Sequence, residues 1–248
     1  MTNSSVNEKN RFMTQDFQDR AIVADIFSTD AEVSADSGVG VRQRRKAARP
    51  GQIIEAAFAE FAEKGYAAAR LEDVARRIGI TKGTIYHYFP GKEHLFKAMV
   101  LAHLLPLIDG MKALATSGGM SGRALLEVLI ERAYSDMVGN EKSREFVRLM
   151  VGEASRVPEL AQFFHHELFT RADELIIAVI ERGVATGEFR PDAATRLAGF
   201  PDAIVAPAVM ACLQAVIAAT IGLPQPDIEA LKNAHLQLLL DGLIARPD

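Results

Sequence analysis

Hydrophobic residues recur at helical spacing along the chain from Pro50 onward. In the first such stretch one helical face is made by Ile53, Ile54, Ala57, Phe58, Phe61 and Ala62. Pro50 suits the first turn of a helix and Gly65 suits its end, because proline lacks an amide donor and glycine can reverse the chain. The pattern predicts a helix between these two residues.

The same periodicity predicts that the fold is all-α. It indicates helices over 71–79, from 81 to just before Pro90, and over 91–115, where Pro106 can kink the helix. Beyond residue 116, Gly- and Pro-containing breakers separate five more predicted helices, at about 122–138, 142–156, 158–184, 192–221 and 226–245. No stretch alternates as a strand does.

The composition fits a globular protein of a reducing compartment. Hydrophobic residues make up 49% of the chain and charged residues 24%, which is an ordinary balance. Cys212 is the single cysteine, so no intramolecular disulfide can form and no cysteine-based zinc site is expected. The first thirty residues contain no apolar run of signal-peptide length. We therefore predict a cytoplasmic protein without a bound metal or cofactor.

One uncharged stretch, residues 203–223, has the length of a membrane span. It contains Pro207, Gln214 and Thr220 and many alanines, which weaken its gain on entering lipid. A helix that is apolar all round can equally be buried in protein. We favour burial against a partner helix over a membrane span.

The charges are unevenly distributed. Residues 41–104 carry 12 Lys and Arg against 6 Asp and Glu, a net charge of +6, although the whole chain has a formal net charge of -4. Such asymmetry favours a local polyanionic partner, most simply nucleic acid. Residues 1–48 read as a mostly disordered extension that ends in a basic arm over 41–49. The arm is either solvated or reaches a minor groove.

Residues 71–89 have the geometry of a helix-turn-helix. Ala75 is small enough for two helices to cross closely, and Gly79 can take the left-handed conformation that turns the chain. Ile80 provides an apolar plug for the turn. Thr81 has the hydroxyl to cap the next helix.

That next helix is predicted to have a packed back and a polar front. Ile85, Tyr88 and Phe89 fall on the inward face, with the Tyr88 hydroxyl at the rim, where it can pack or reach a phosphate. The opposite face carries Lys82, Gly83, Thr84, Tyr86 and His87. A helix presented in this way fits the major groove of DNA. Lys92, at the start of the following helix, is placed to bind a phosphate together with free backbone amides.

At these residues the sequence resembles the DNA-binding domain of TetR-family transcriptional regulators. The resemblance covers about residues 50–97 and rests on Gly65-Tyr66, Asp73-Val-Ala75, the run from Gly79 to Phe89, Lys92-Glu93 and Leu95-Phe96. Over 105–248 the resemblance is only one of kind, in the length of the helices.

The resemblance implies a three-helix DNA-binding domain over 49–97 and a larger ligand-binding and dimerisation domain over 98–248. By the same resemblance, the residues that face DNA are Lys82, Gly83, Thr84, Tyr86, His87, Tyr88 and Lys92. The family commonly has Thr or Ser just before the second helix, but this chain has Ala69-Arg70-Leu71. The helix cap is therefore in question, although Arg70 could supply the phosphate contact by charge.

One short helix reads too few bases to be selective, so the chain is expected to act as a homodimer on a palindromic operator. We predict that the dimer forms through 192–221 and 226–245, as a four-helix bundle. A small-molecule effector would favour one spacing of the two DNA-reading helices over another. The candidate effector-binding residues are Met99, His103, Met111, Tyr134, Met137, Phe146, Met150, Phe163, His166 and Phe169. At helical spacing, however, Met and Phe are usually plain core.

Two other classes of function are alternatives to a ligand-released repressor. A ligand-independent architectural DNA-binding protein would have the same DNA-reading helix and would ignore small molecules. An enzyme is the more distant alternative: His165 and His166 are adjacent on a helix, point about 100° apart and do not converge on one metal. The usual zinc-hydrolase, nucleophile-elbow and dinucleotide motifs are missing from the sequence.

Overall fold

The computed structural model describes residues 48–154 and 156–245. The predicted N-terminal extension and most of the basic arm, up to residue 47, lie outside the described residues. The chain divides into two compact units, one ending at His103 and the other beginning at Leu104. In the described part the structure is helical, and its one β-type pairing is an isolated bridge between Phe189 and Ile244.

The first unit contains three complete helices and the start of a fourth, longer helix. These are α1 (Arg49–Ala68), α2 (Leu71–Arg77), α3 (Lys82–Tyr88) and α4 (Lys92–Thr116), which continues into the second unit through Pro106. Gly65 interrupts α1 with φ 75° and ψ 164°, at the residue where the sequence predicts that the helix ends.

The hydrophobic periodicity of α1 becomes the core of the first unit. Ile53, Ala57 and Phe61 are fully buried, and they share the core with Val74 of α2 and Ile85 of α3. The Phe61 ring packs edge-on against Phe96 of α4, with centroids 5.1 Å apart. Burying side chains of this size contributes about 1.5–3 kcal/mol each and fixes α2 and α3 on α1.

Ion pairs also tie α1 to α2. Glu60 is 1% exposed, and its carboxylate lies 2.6 Å from Lys64 and 2.8 Å from Arg77 of α2. Burial acts to raise the pKa of Glu60, but hydrogen bonds from Lys64 and Arg77 outweigh it and the pKa is lowered. Lys64 also bonds Asp73 at 3.0 Å. The carboxylate of Glu60 is therefore charged and compensated inside the unit.

The second unit is a bundle of shorter helices. It contains α5 (Gly122–Arg132), α6 (Glu141–Ala154), α7 (Pro158–Phe164), α8 (Thr170–Ala185), α9 (Ala193–Leu197), α10 (Ala206–Ile221) and α11 (Ile228–Leu243). Wider π-type turns extend α5 over Ala133–Val138 and join α7 to α8 over His165–Phe169.

The prediction of one helix over 192–221 is wrong. The segment forms α9, a short 3-10 turn at Pro201–Ile204, and α10. Pro201 has no amide to donate and disfavours helical backbone at the residue before it, and Phe200 is accordingly non-helical with φ −158° and ψ 70°. Pro207 is tolerated because it lies in the first turn of α10.

Two glycines allow α5 and α8 to touch through their backbones. A Cβ added to Gly122 would lie 2.1 Å from the Cα of Gly183, and one added to Gly183 would lie 2.1 Å from the ring of Phe189. A larger residue at Gly122 would have to displace the backbone of α8, and one at Gly183 would have to displace the ring of Phe189. The sequence patterns gave no sign of this crossing.

Of the described helices, α4 has the length and apolar composition of a membrane span. Leu95, Phe96 and Leu101 in its first half are fully buried, but over the apolar window as a whole 28% is buried. Within the uncharged stretch over residues 203–223, the α-helical part is the 16-residue helix α10. At 1.5 Å per residue α10 is shorter than the ~30 Å hydrocarbon layer.

Candidate nucleic-acid interface

The turn between α2 and α3 is built as the sequence predicts. Gly79 has a φ of 65°, and the amide of Ile80 donates back to the carbonyl of Ala75 at 3.0 Å. Thr81 caps α3, because its hydroxyl oxygen accepts a hydrogen bond from the amide of Thr84 at 3.2 Å. The start and direction of α3 are therefore fixed by local chemistry.

The back of α3 is buried and its front is open. Ile85 and Phe89 are fully buried, and Tyr88 is half-buried with its ring 5.0 Å from that of His87. On the front, Lys82, Gly83 and His87 are exposed, Tyr86 is 47% exposed, and Thr84 is half-buried. The Thr84 hydroxyl lies 3.0 Å from that of Thr81. Lys82, Gly83, Tyr86 and His87 thus form one exposed surface over the buried Ile85 and Phe89.

Lys82 has a partner that the sequence analysis missed. Its ammonium lies 2.5 Å from a carboxylate oxygen of Glu72 on α2 and 5.4 Å from the centroid of the Tyr86 ring. The hydrogen bond between them raises the pKa of Lys82 and lowers the pKa of Glu72. From the sequence, Glu72 reads only as a negative charge that favours the N-terminus of α2. The pairing depends on how α2 and α3 cross, which spacing alone does not give.

Gly83 is not required by the internal packing of the first unit. A Cβ at this position would meet only the Thr81 hydroxyl oxygen, at an ordinary 3.7 Å. Glycine within a helix costs about 0.5–1 kcal/mol relative to alanine. A glycine that the fold does not need, on an exposed face, is typical of a surface that another molecule approaches closely.

Arg70 and Lys92 flank this surface in different ways. Arg70 is exposed, and α2 begins after it with no side-chain cap, as the sequence Ala69-Arg70-Leu71 suggests. Lys92 is half-buried, and its ammonium donates to the carbonyls of Tyr66, Ala67 and Ala69 at 2.8, 3.1 and 3.3 Å. Lys92 therefore caps the end of α1, and its contact with phosphate stays a prediction.

The ten predicted effector residues are divided between the two units. Met99 and His103 belong to the first unit. The second unit holds the rest, of which four are buried, namely Met111, Tyr134, Phe146 and Phe163. Met137 and Met150 pack half-buried against the core, and His166 and Phe169 are exposed. An effector contact for any of the ten stays a prediction.

One buried polar pair stands out in the core of the second unit. The hydroxyl of Tyr134 lies 3.3 Å from Nδ1 of His235 on α11, and both side chains are buried. Burial raises the pKa of Tyr134 and lowers the pKa of His235, so both are neutral near pH 7. Nε2 of His235 has no hydrogen-bond partner among the described residues.

The second unit also has an open groove of about 510 Å³ between α5 and α11. Met120, Val128 and Leu236 give it an apolar wall, and the ion pair of Glu131 with Lys232, 2.6 Å apart, lies at its side. Its lining includes none of the ten predicted effector residues.

The helices predicted to form a dimer are apolar on two sides. On α10, Ala208, Ala211, Cys212, Ala215 and Ala218 are buried within the second unit. The other side of α10 exposes Met210 (56%), Ile217 (58%) and Ile221 (62%), and α11 exposes Leu238 (73%). We call these four residues the outer apolar face.

Comparison with known proteins places both units in one family. The family model described as bacterial regulatory proteins, tetR family, matches residues 53–99. A second model, described as tetracyclin repressor-like, C-terminal domain, matches residues 121–219.

Two curated relatives and a solved structure agree with these matches. The HTH-type transcriptional repressor KstR2 of Rhodococcus jostii is 30% identical over 154 residues, which are 62% of this chain and 74% of that protein. The fatty acid metabolism regulator protein of Bacillus subtilis is 26% identical, covering 77% of this chain and 94% of its own. The crystal structure of the Bacillus subtilis regulator FadR, in complex with stearoyl-CoA, has the same fold with a TM-score of 0.65 at 23% identity, over 77% of this chain and 98% of that one.

Proposed function

The chain belongs to the TetR family of bacterial transcriptional regulators, and we propose that it is a repressor that binds a palindromic operator as a homodimer and is released by a small-molecule effector. The observation that carries this proposal is the front of α3. Its exposed Lys82, Gly83, Tyr86 and His87 stand on a fully buried back of Ile85 and Phe89. A short helix presented in this way fits a major groove.

The chemistry of α3 divides between affinity and choice of sequence. Cationic side chains gain affinity for any duplex by releasing counterions from phosphates. Lys82, Thr84, Tyr86 and His87 offer a cation, a hydroxyl, a phenol and an imidazole to base edges, and these groups select the operator. Arg70 and Tyr88, at the margins of the surface, are assigned to phosphate.

The outer apolar face supports dimerisation through α10 and α11. In an isolated subunit the exposure of Met210, Ile217, Ile221 and Leu238 to water is unfavourable. Burial of these side chains against a second copy of the chain would remove this cost. Two α3 helices are then held at a fixed separation and read two half-sites together. The dimer that we propose uses α10 rather than the whole of 192–221.

We propose an effector with a long apolar part, such as an acyl-CoA thioester. The FadR neighbour binds stearoyl-CoA, and a curated relative is named as a regulator of fatty acid metabolism. Most of the predicted effector residues in the second unit are Met and Phe, which adapt to flexible apolar ligands. Binding would favour a conformation of the dimer with the wrong spacing of its two α3 helices, and the operator would be released.

A gel-shift experiment on the DNA that flanks the gene for this chain tests the proposal. The wild-type protein should shift this DNA, and stearoyl-CoA should reverse the shift. Tyr86→Ala should abolish the shift and leave the dimer intact. Phe200→Ala, which removes another exposed aromatic ring (62% exposed), is the matched control and should bind normally. Binding by Tyr86→Ala at the wild-type level would refute the site.

Release by stearoyl-CoA also separates the repressor from a ligand-independent architectural protein. An architectural protein would bind the same DNA in the presence and in the absence of the thioester. A panel of acyl-CoA thioesters of different chain length, each against the free fatty acid, identifies which part of the molecule is recognised.

A further inference from the structure

Glu72 and Lys82 face each other across the turn that separates α2 from α3. Their Oε1 and Nζ atoms are 2.5 Å apart, and the side chains are 49% and 44% exposed. Glu72 is the second residue of α2 and Lys82 is the first residue of α3. The ion pair therefore lies on the surface that we assign to DNA, and it places a carboxylate where a polyanion is expected to bind.

Glu72 does not serve the contact between α1 and α2. That contact is made by Asp73, which bonds Lys64 at 3.0 Å, and by Glu60, which bonds Arg77 at 2.8 Å. Glu72 and Asp73 both supply a negative charge in the first turn of α2, where negative charge interacts favourably with the helix dipole. What Glu72 adds beyond this charge is a partner for Lys82.

Lys82 is held on two sides as a result. Glu72 accepts from its ammonium, and the same nitrogen lies 5.4 Å from the centroid of the Tyr86 ring. A lysine with a flexible four-carbon stem is thereby restricted to one region of the front of α3.

We propose that Glu72 is a specificity-determining residue that positions Lys82 for contact with a base edge and makes contact with phosphate alone unfavourable. The inference rests on the proposed function, because it assigns a role within the same DNA interface.

The physical reason is a difference between phosphates and bases. An unpaired lysine on this surface gains affinity from any phosphate, whatever the sequence. When Lys82 is paired with Glu72, contact with a phosphate has a cost. Either Lys82 breaks the ion pair, or the Glu72 carboxylate approaches the phosphate with it, and like charges repel. A base pair imposes no such cost, since guanine offers acceptors to a lysine and cytosine offers a donor to a glutamate. The carboxylate therefore weakens nonspecific complexes more than the operator complex.

The test compares Glu72→Gln with Glu63→Gln. Glu63 is an exposed carboxylate of the same unit that pairs with Arg77, so both variants lose one charge and one ion pair. The two DNA probes are a duplex that the wild-type protein selects from a random-sequence library, and poly(dI-dC). Binding is measured as a function of KCl concentration, with thermal unfolding as a check that each variant folds.

Glu72→Gln should tighten binding to poly(dI-dC) by roughly tenfold at low salt and steepen its log–log salt slope by about 0.9 for each subunit. Affinity for the selected duplex should change less, so the ratio of the two affinities falls. In the Lys82→Gln background, Glu72→Gln should have no such effect. Glu63→Gln should leave the slope and the ratio as in the wild type.

Equal slopes and ratios for Glu72→Gln and Glu63→Gln overturn the inference, as does a gain from Glu72→Gln that persists without Lys82. A wild-type protein that selects no duplex from the library overturns the proposed function itself. The two failures are therefore distinguished by the behaviour of the unmutated protein.

Discussion

Replacing Gly83 with alanine should make the free protein more stable and its DNA complex weaker. The new Cβ meets only the Thr81 hydroxyl oxygen, at 3.7 Å, so it adds no clash within the subunit. It also removes backbone freedom from the unfolded chain, which stabilises the fold by about 0.4–1 kcal/mol. For a chain of this length the melting temperature should rise by about 1–4 °C.

On DNA the sign of the effect reverses. The added methyl group lies on the exposed front of α3, where we place the closest approach of the backbone to the duplex. Loss of one good base contact corresponds to about 1–3 kcal/mol, which is roughly a 5- to 150-fold increase in the dissociation constant. Fluorescence anisotropy with the selected duplex measures this loss, and circular dichroism on heating measures the stability.

Gly122→Ala is the matched control for this prediction. Gly122 is the first residue of α5 after its cap Ser121, and Gly83 is the second residue of α3 after its cap Thr81. Its Cβ would lie 2.1 Å from the backbone of Gly183, so the same substitution should destabilise the fold by about 1–3 kcal/mol or more. If Gly83→Ala binds DNA as tightly as the wild type, the assignment of Gly83 to a DNA contact is refuted. A lowered melting temperature would instead contradict the premise that the fold does not need glycine at this position.

Three further predictions concern the dimer and the buried polar groups. Ile217→Glu should give monomers in sedimentation and weaken operator binding, whereas Val151→Glu, at an equally exposed apolar residue of α6, should leave the dimer intact. Glu60→Gln should lower the free energy of unfolding by roughly 1–3 kcal/mol at pH 7. Because the pKa of Glu60 is lowered in the folded protein, the difference should be complete above the unfolded pKa of about 4.3 and should be lost as the pH falls from there through the lower pKa of the folded carboxyl. Burial lowers the pKa of His235, so its contribution to stability should be lost as the pH falls below about 6.5; denaturant titrations of His235→Leu, which cannot protonate, should show a weaker dependence over this range.

The sequence predicted the first unit well because its signals are local. Thr81 caps the helix that begins one residue later, and Gly79 turns the chain where its φ is positive. The buried backs of α1 and α3 follow directly from residues spaced three and four apart, as Phe61 and Ile85 show. These features need no knowledge of distant parts of the chain.

The errors in the second unit come from interactions that periodicity does not contain. The stretch over 192–221 is apolar enough for one helix, but Pro201 removes an amide donor and the chain breaks there. The crossing of α5 and α8 depends on Gly122 and Gly183, which are 61 positions apart in the chain. Likewise, the sequence places Tyr134 among the candidate effector-binding residues, but it does not reveal the partner His235, which is 101 residues away.

Lys82 and Lys92 show why a motif places residues better than it assigns their roles. Both fall in the stretch that resembles the family motif, but Lys82 lies exposed beside Glu72 and Lys92 donates to three carbonyls at the end of α1. Those carbonyls belong to residues 23–26 positions earlier, so local spacing does not reveal them. Lys92→Ala should therefore lower the melting temperature as well as DNA affinity, and its loss of binding would not identify a phosphate contact. Lys82→Ala should lose affinity at an unchanged melting temperature, and only a loss of that kind assigns a lysine to the DNA surface.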